Sequence, residues 1–86
     1  MKEFRYISTM NVRLVCIKYD WFTCGDNDAY DDLFEFIGNL TRKGKHVSVE
    51  MLRIIAEMIK ENSNTDESIP EIMFVLNAEA CTTIFE

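Results

Sequence analysis

Three observations in this chain predict an α+β fold: an opening rich in aromatic and β-branched residues, three later stretches with apolar residues at helical spacing, and polar turn formers between them. The expected arrangement is an N-terminal strand or hairpin packed on three helices near 27–40, 48–62 and 69–82, with an all-helical bundle as the alternative. Eighty-six residues make one domain over 1–86, because a second core would have too little apolar surface to bury. A hydrophobic fraction of 48% and an aromatic fraction of 12% are globular values despite a net charge of −6. Chains of this length bury only about 60% of their unfolded surface, so association with a partner or a second copy adds stability that the core alone lacks.

The elements follow in order. Phe4 and Tyr6 alternate with Glu3, Arg5 and Ser8, which is the period of a strand, and the polar stretch 8–11 reads as a turn. Residues 12–19 crowd Val, Leu, Val, Cys, Ile and Tyr with only Arg13 and Lys18 between them; their β-branched content and short run favour a second strand. A helix is the other reading of this stretch, because Val12, Val15, Cys16 and Tyr19 would then share a stripe. An alternative start near Met10 would leave residues 1–9 as a loose leader.

Residues 20–25 read as a loop leading to a helix capped by Asp26 or Asn27. Beyond it Asp28, Asp31, Asp32, Glu35 and Asn39 project to one side, and Tyr30, Leu33, Phe34, Phe36, Ile37 and Leu40 to the other. Between Tyr19 and Thr41 stand Asp20, Asp26, Asp28, Asp31, Asp32 and Glu35 with no Lys or Arg among them. Acids in a first turn complement the helix dipole, which gives part of this acidity a structural motive. The helix should end before Arg42, Lys43, Lys45 and His46, a basic cluster expected to be a solvated loop.

Ser48 caps the next helix, whose apolar face is Met51, Leu52, Ile55, Met58 and Ile59, widened by Ile54. Residues 62–67 are polar throughout and read as a linker. Ser68, Pro70 and Glu71 then form a capping box with Pro near the helix start. The helix that follows carries two stripes, Ile69, Ile72, Met73, Leu76, Ala80 and Ile84 on one side and Phe74, Ala78, Cys81 and Phe85 on another. One stripe closes the core; the other needs the N-terminal strands or a second chain.

Chemistry is thinly represented. His46 is the one histidine and sits in the basic loop, and the serines read as caps or turns, so no nucleophile and base are paired by spacing. A non-enzyme without cofactor is expected. The acids at 26, 28, 31 and 32 lack the Gly and terminal Glu of an EF-hand loop, so no metal is expected either. Cys16, Cys24 and Cys81 are odd in number and have no paired C-x-x-C, against a disulfide framework or zinc site. Cys24, before a helix start, is the candidate for a thiol redox role, although Asp20, Asp26 and Asp28 would repel its thiolate. Lys2, Glu3 and Arg5 interrupt any early apolar run, so no signal peptide is read and a cytoplasmic setting is expected.

The acidic balance argues against direct binding to nucleic acid or to an anionic membrane, both of which need clustered Lys and Arg. It suits a protein partner with a basic surface. A row of carboxylates fixed on a helix can imitate the charge array of a nucleic-acid backbone and block a basic groove. Small acidic inhibitors of restriction or CRISPR nucleases are of this size and charge, a likeness of type alone. The contact would run through Asp26, Asp28, Asp31, Asp32 and Glu35, with Trp21 and Phe22 as apolar anchors. The rival expectation is a self-associating homodimer module using Ile54, Phe74 and Phe85.

Overall fold

The computed structural model describes residues 3–22, 27–42 and 46–85 and has the α+β architecture. Strand β1 (Glu3–Ile7) leads to helix α1 (Thr9–Lys18), and α2 (Asn27–Arg42) and α3 (Val49–Glu61) follow. Helix α4 (Ile69–Val75) widens into a π-helical turn (Leu76–Ala80) that opens into strand β2 (Cys81–Phe85). The two strands pair antiparallel, with Glu3 opposite Phe85, Arg5 opposite Thr83 and Ile7 opposite Cys81. The first described element therefore closes onto the last, and the helices lie between them in sequence.

Two expectations are corrected here. Of residues 12–19, favoured above as a strand, 12–18 belong to α1 and Tyr19 is its C-cap. Ser8 supplies the reason: its backbone is extended, and its hydroxyl accepts the Asn11 N–H at 3.0 Å, so a helix starts where a turn was expected. The helical stripe then operates as the alternative reading had it, with Val12, Val15 and Cys16 buried. The last helix, expected to run to about residue 82, gives way to β2 at Cys81. Thr82, Thr83, Ile84 and Phe85 are all strand formers, and pairing with β1 outweighs the helical spacing that Ile84 and Phe85 also satisfy. Residues 3–9, the greater part of the stretch that could have been a leader, supply the strand, the cap and the helix start.

The remaining helix starts are chemically plain. Ser48 accepts the Met51 N–H at 3.2 Å, and Ser68 accepts the Glu71 N–H at 3.3 Å; the Glu71 carboxylate accepts from the Ser68 hydroxyl at 3.1 Å rather than from its backbone N–H, so only the Ser half of the capping box is formed. One core collects Ile7, Val12, Val15, Leu33, Ile37, Leu52, Ile55, Ile59, Ile72 and Leu76 with their buried neighbours. α3 packs on α4, and α1 packs on the π-helical turn. That turn is tied from two sides: the Lys18 ammonium meets Glu79 at 2.7 Å, with the Tyr19 hydroxyl donating to the same carboxylate, and the Arg5 guanidinium donates to the Asn77 carbonyl at 2.9 Å. No described helix is long and apolar enough to cross a membrane.

Candidate functional site

Helix α2 carries the acidic row. Leu33 and Ile37 on its inner face are fully buried, with Tyr30, Phe34 and Phe36 packed partly against the core. Asp31, Asp32 and Glu35 are exposed on the other face. The helical period that buries Leu33 and Ile37, four residues apart, is what turns these carboxylates outward together. Among the described residues they form no ion pair; the salt bridge found there joins Lys18 and Glu79 on other elements. Asp28 falls in the first turn of α2, whereas Asp26 and Cys24 lie outside the described residues.

Two clefts border this row. Arg13 and Ile17 from α1 meet Tyr30, Asp31 and Phe34 from α2 around an open cleft of about 490 Å³. Thr9 from α1 joins Phe34, Glu35, Gly38 and Arg42 around a second of about 520 Å³. Phe34 is common to both, so the clefts succeed one another along α2, with Asp31 and Glu35, one helical turn apart, on their walls. An aromatic floor thus lies beside a carboxylate rim, and Arg13 and Arg42 mark its cationic ends.

Trp21 and Phe22 are not the exposed anchors that the aromatic run suggested. They are 2% and 7% exposed. The backbone explains how they turn inward: Asp20 and Phe22 take left-handed φ values of 57° and 63°, which reverses the chain after α1. A bulky residue is strained there, and burial of both rings offsets that strain. The stretch 62–67, read as a linker, closes over them. Glu67 accepts the Trp21 indole N–H at 3.0 Å, and Ser63 accepts the Phe22 N–H at 2.8 Å.

Apolar exposure occurs elsewhere instead. Ile54, Phe74 and Phe85 are 38%, 73% and 63% exposed, carried by α3, α4 and β2. Sequence reasoning missed a tighter group: Met10, Leu14 and Ile17 on the outer face of α1, 61%, 56% and 62% exposed. Their i, i+4, i+7 spacing was visible in the sequence, but the strand reading of 12–19 scattered them over two faces.

The described thiols are poor nucleophiles. Cys16 is buried, and desolvation raises its pKa to about 12 against a hydrogen bond from Tyr30 that acts the other way. Cys81 is also pushed up by burial, with Arg5 opposing. His46 has a structural task, since its Nδ1 accepts the Arg5 backbone N–H at 3.0 Å. Among the described residues no three His, Cys, Asp or Glu side chains converge as metal ligands. Comparison with protein-family models, with curated proteins and with solved structures returned no match.

Proposed function

We propose that this protein is a non-catalytic, acidic protein-binding module that occupies a basic nucleic-acid-binding surface of its partner. The observation that carries the reading is the exposed row of Asp31, Asp32 and Glu35, without an ion pair among the described residues, on a helix whose other face is anchored in the core. At about 1.5 Å of rise per residue, these charges span about 6 Å of helix axis. The spacing is uneven, about 1.5 Å from Asp31 to Asp32 and about 4.5 Å on to Glu35, and its mean of about 3 Å compares with about 3.4 Å of duplex axis per phosphate for one strand of B-DNA. Asp28 falls in the first turn of the same helix. A net charge of −6 adds long-range attraction to a basic groove, which raises the rate of encounter more than the final affinity.

Apolar anchoring comes from the clefts beside the row, where Ile17, Tyr30 and Phe34 stand next to Asp31. This replaces the buried Trp21 and Phe22 in that role. The partner class is a protein that binds DNA or RNA through Lys and Arg, nucleases of the restriction or CRISPR type included. The test is affinity capture with wild-type protein and with an Asp31→Lys, Asp32→Lys, Glu35→Lys variant. A basic nucleic-acid-binding protein should be retained by wild type at low salt, lost as salt rises, and not retained by the variant. Equal retention by a folded variant would falsify the reading.

A second reading, a self-associating homodimer module, is favoured by the exposed Phe74 and Phe85. Sedimentation across a range of concentrations tests it, since a self-associating chain gains mass on concentration and a binder of other proteins alone does not.

A further inference from the structure

The two edges of the sheet are treated differently. Arg5 in β1 aims its backbone away from β2: its N–H donates to His46 Nδ1 at 3.0 Å, and its carbonyl accepts the Val47 N–H at 2.8 Å. The outer edge of β1 is thereby covered. Because Arg5 faces Thr83, its outward aim makes this a non-hydrogen-bonded pair of the antiparallel ladder. The Thr83 N–H and carbonyl consequently point out of the opposite edge, away from β1. Among the described residues nothing pairs with them.

Among the described residues this edge lacks the side-chain defences of an edge strand. β2 contains no proline, lysine or other charged residue, and Thr82, Thr83, Ile84 and Phe85 are all exposed strand formers. A two-stranded sheet is also marginal by itself. We infer that the outer edge of β2 pairs antiparallel with β2 of a second copy of this chain, about a two-fold axis at Thr83.

The register closes on itself. Thr83 would exchange both backbone hydrogen bonds with Thr83 of the partner subunit, and Thr82 would stand opposite Ile84 of the partner subunit. Residues 81–85 carry no charge, so within the paired strands two chains of net charge −6 meet without like charges opposite one another. The product is a four-stranded sheet in the order β1-β2-β2-β1. The pleat places Phe4, Tyr6, Thr82 and Ile84 on one face, where the Phe4 and Tyr6 rings already stack with centroids 6.3 Å apart. Pairing would extend that face across the axis through both copies of Ile84, adding cross-strand contacts to the backbone bonds.

The inference rests on the self-association reading and names its surface. The test is sedimentation of wild type, Thr83→Pro and Thr83→Lys, with amide hydrogen exchange of wild type at low and high concentration. The outward Thr83 N–H takes no part in the β1 ladder, so proline there leaves the fold its internal bonds. Wild type should dimerise, its Thr83 amide should slow in exchange on concentration, and both variants should sediment as monomers with unchanged circular dichroism. Should Thr83→Pro unfold, Thr83→Lys and the wild-type exchange data decide. A dimer that persists in the folded variants overturns this surface and leaves self-association standing. A wild-type monomer at every concentration overturns both, and a monomer that takes up a strand of another protein at Thr83 overturns the second copy as occupant.

Discussion

Helices α1 and α2 pack against each other yet present opposite surfaces. α2 is amphipathic: Leu33 and Ile37 are sealed in the core, and its outer face is carboxylate. α1 is apolar on both sides, with Val12, Val15 and Cys16 inside and Met10, Leu14 and Ile17 outside. The difference separates two kinds of surface. A helix with a charged outer face is complete in water, and its charges are free to recognise something. A helix with an apolar outer face leaves hydrophobic surface uncovered, which a contact would bury with gain. Side by side, the two faces would give the proposed binding module its charge and its apolar grip.

The two helices should differ most in what their inner and outer positions contribute to stability. Ile37→Ala on the sealed face of α2 should cost about 3 kcal/mol by removing a fully buried side chain and leaving a cavity. Leu14→Ala on the outer face of α1 should stay within about 0.5 kcal/mol. Urea unfolding of both variants checks the contrast, and a cost above 2 kcal/mol for Leu14→Ala would show that its face is covered in the monomer.

The inner side of α1 can be probed by pH. A Cys16 thiol held protonated to about 12, against an ordinary value of 9.0, keeps its proton in the folded state after an unfolded chain has released it. Stability should therefore fall as pH rises from about 9 toward 12, by about 1.4 kcal/mol per pH unit from this group. Cys16→Ala should flatten that slope relative to wild type, and slopes that match would contradict the buried, desolvated placement.

A substitution beside the second cleft should stabilise the fold instead. Gly38 lies within α2, and a Cβ added there meets nothing within 4 Å. Gly38→Ala should stabilise the fold by about 1 kcal/mol through helix propensity. If it also weakens partner capture, the glycine serves close approach of a partner at the second cleft; thermal unfolding and the capture assay read the two effects separately.

The same contrast decides how much of the molecule could be read in the sequence. α2, α3 and the start of α4 were legible because each joins an amphipathic period to a cap or a charged first turn, and Ser48 and Ser68 cap as their spacing implies. α1 was not, because apolar residues on every side of a short run erase the period that separates helix from strand. β2 was hidden by the reverse accident: Ile84 and Phe85 fit the helical stripe of α4, while the pairing that makes them a strand comes from residues 3–7 at the far side of the sequence. Of the candidate contact residues, Asp31, Asp32 and Glu35 sit where the helical spacing put them. The burial of Trp21 and Phe22 depends on left-handed backbone at Asp20 and Phe22 and on Glu67 and Ser63 from a distant segment, which no local pattern announces.

The most direct test of the acidic face is competition. With a basic partner in hand from the capture assay, a labelled DNA or RNA duplex is bound to it and this protein is titrated in at constant ionic strength. A nucleic-acid mimic releases the duplex as it binds, while the Asp31→Lys, Asp32→Lys, Glu35→Lys variant leaves it bound. A ternary complex in which the duplex and this protein occupy the partner together would contradict the proposal.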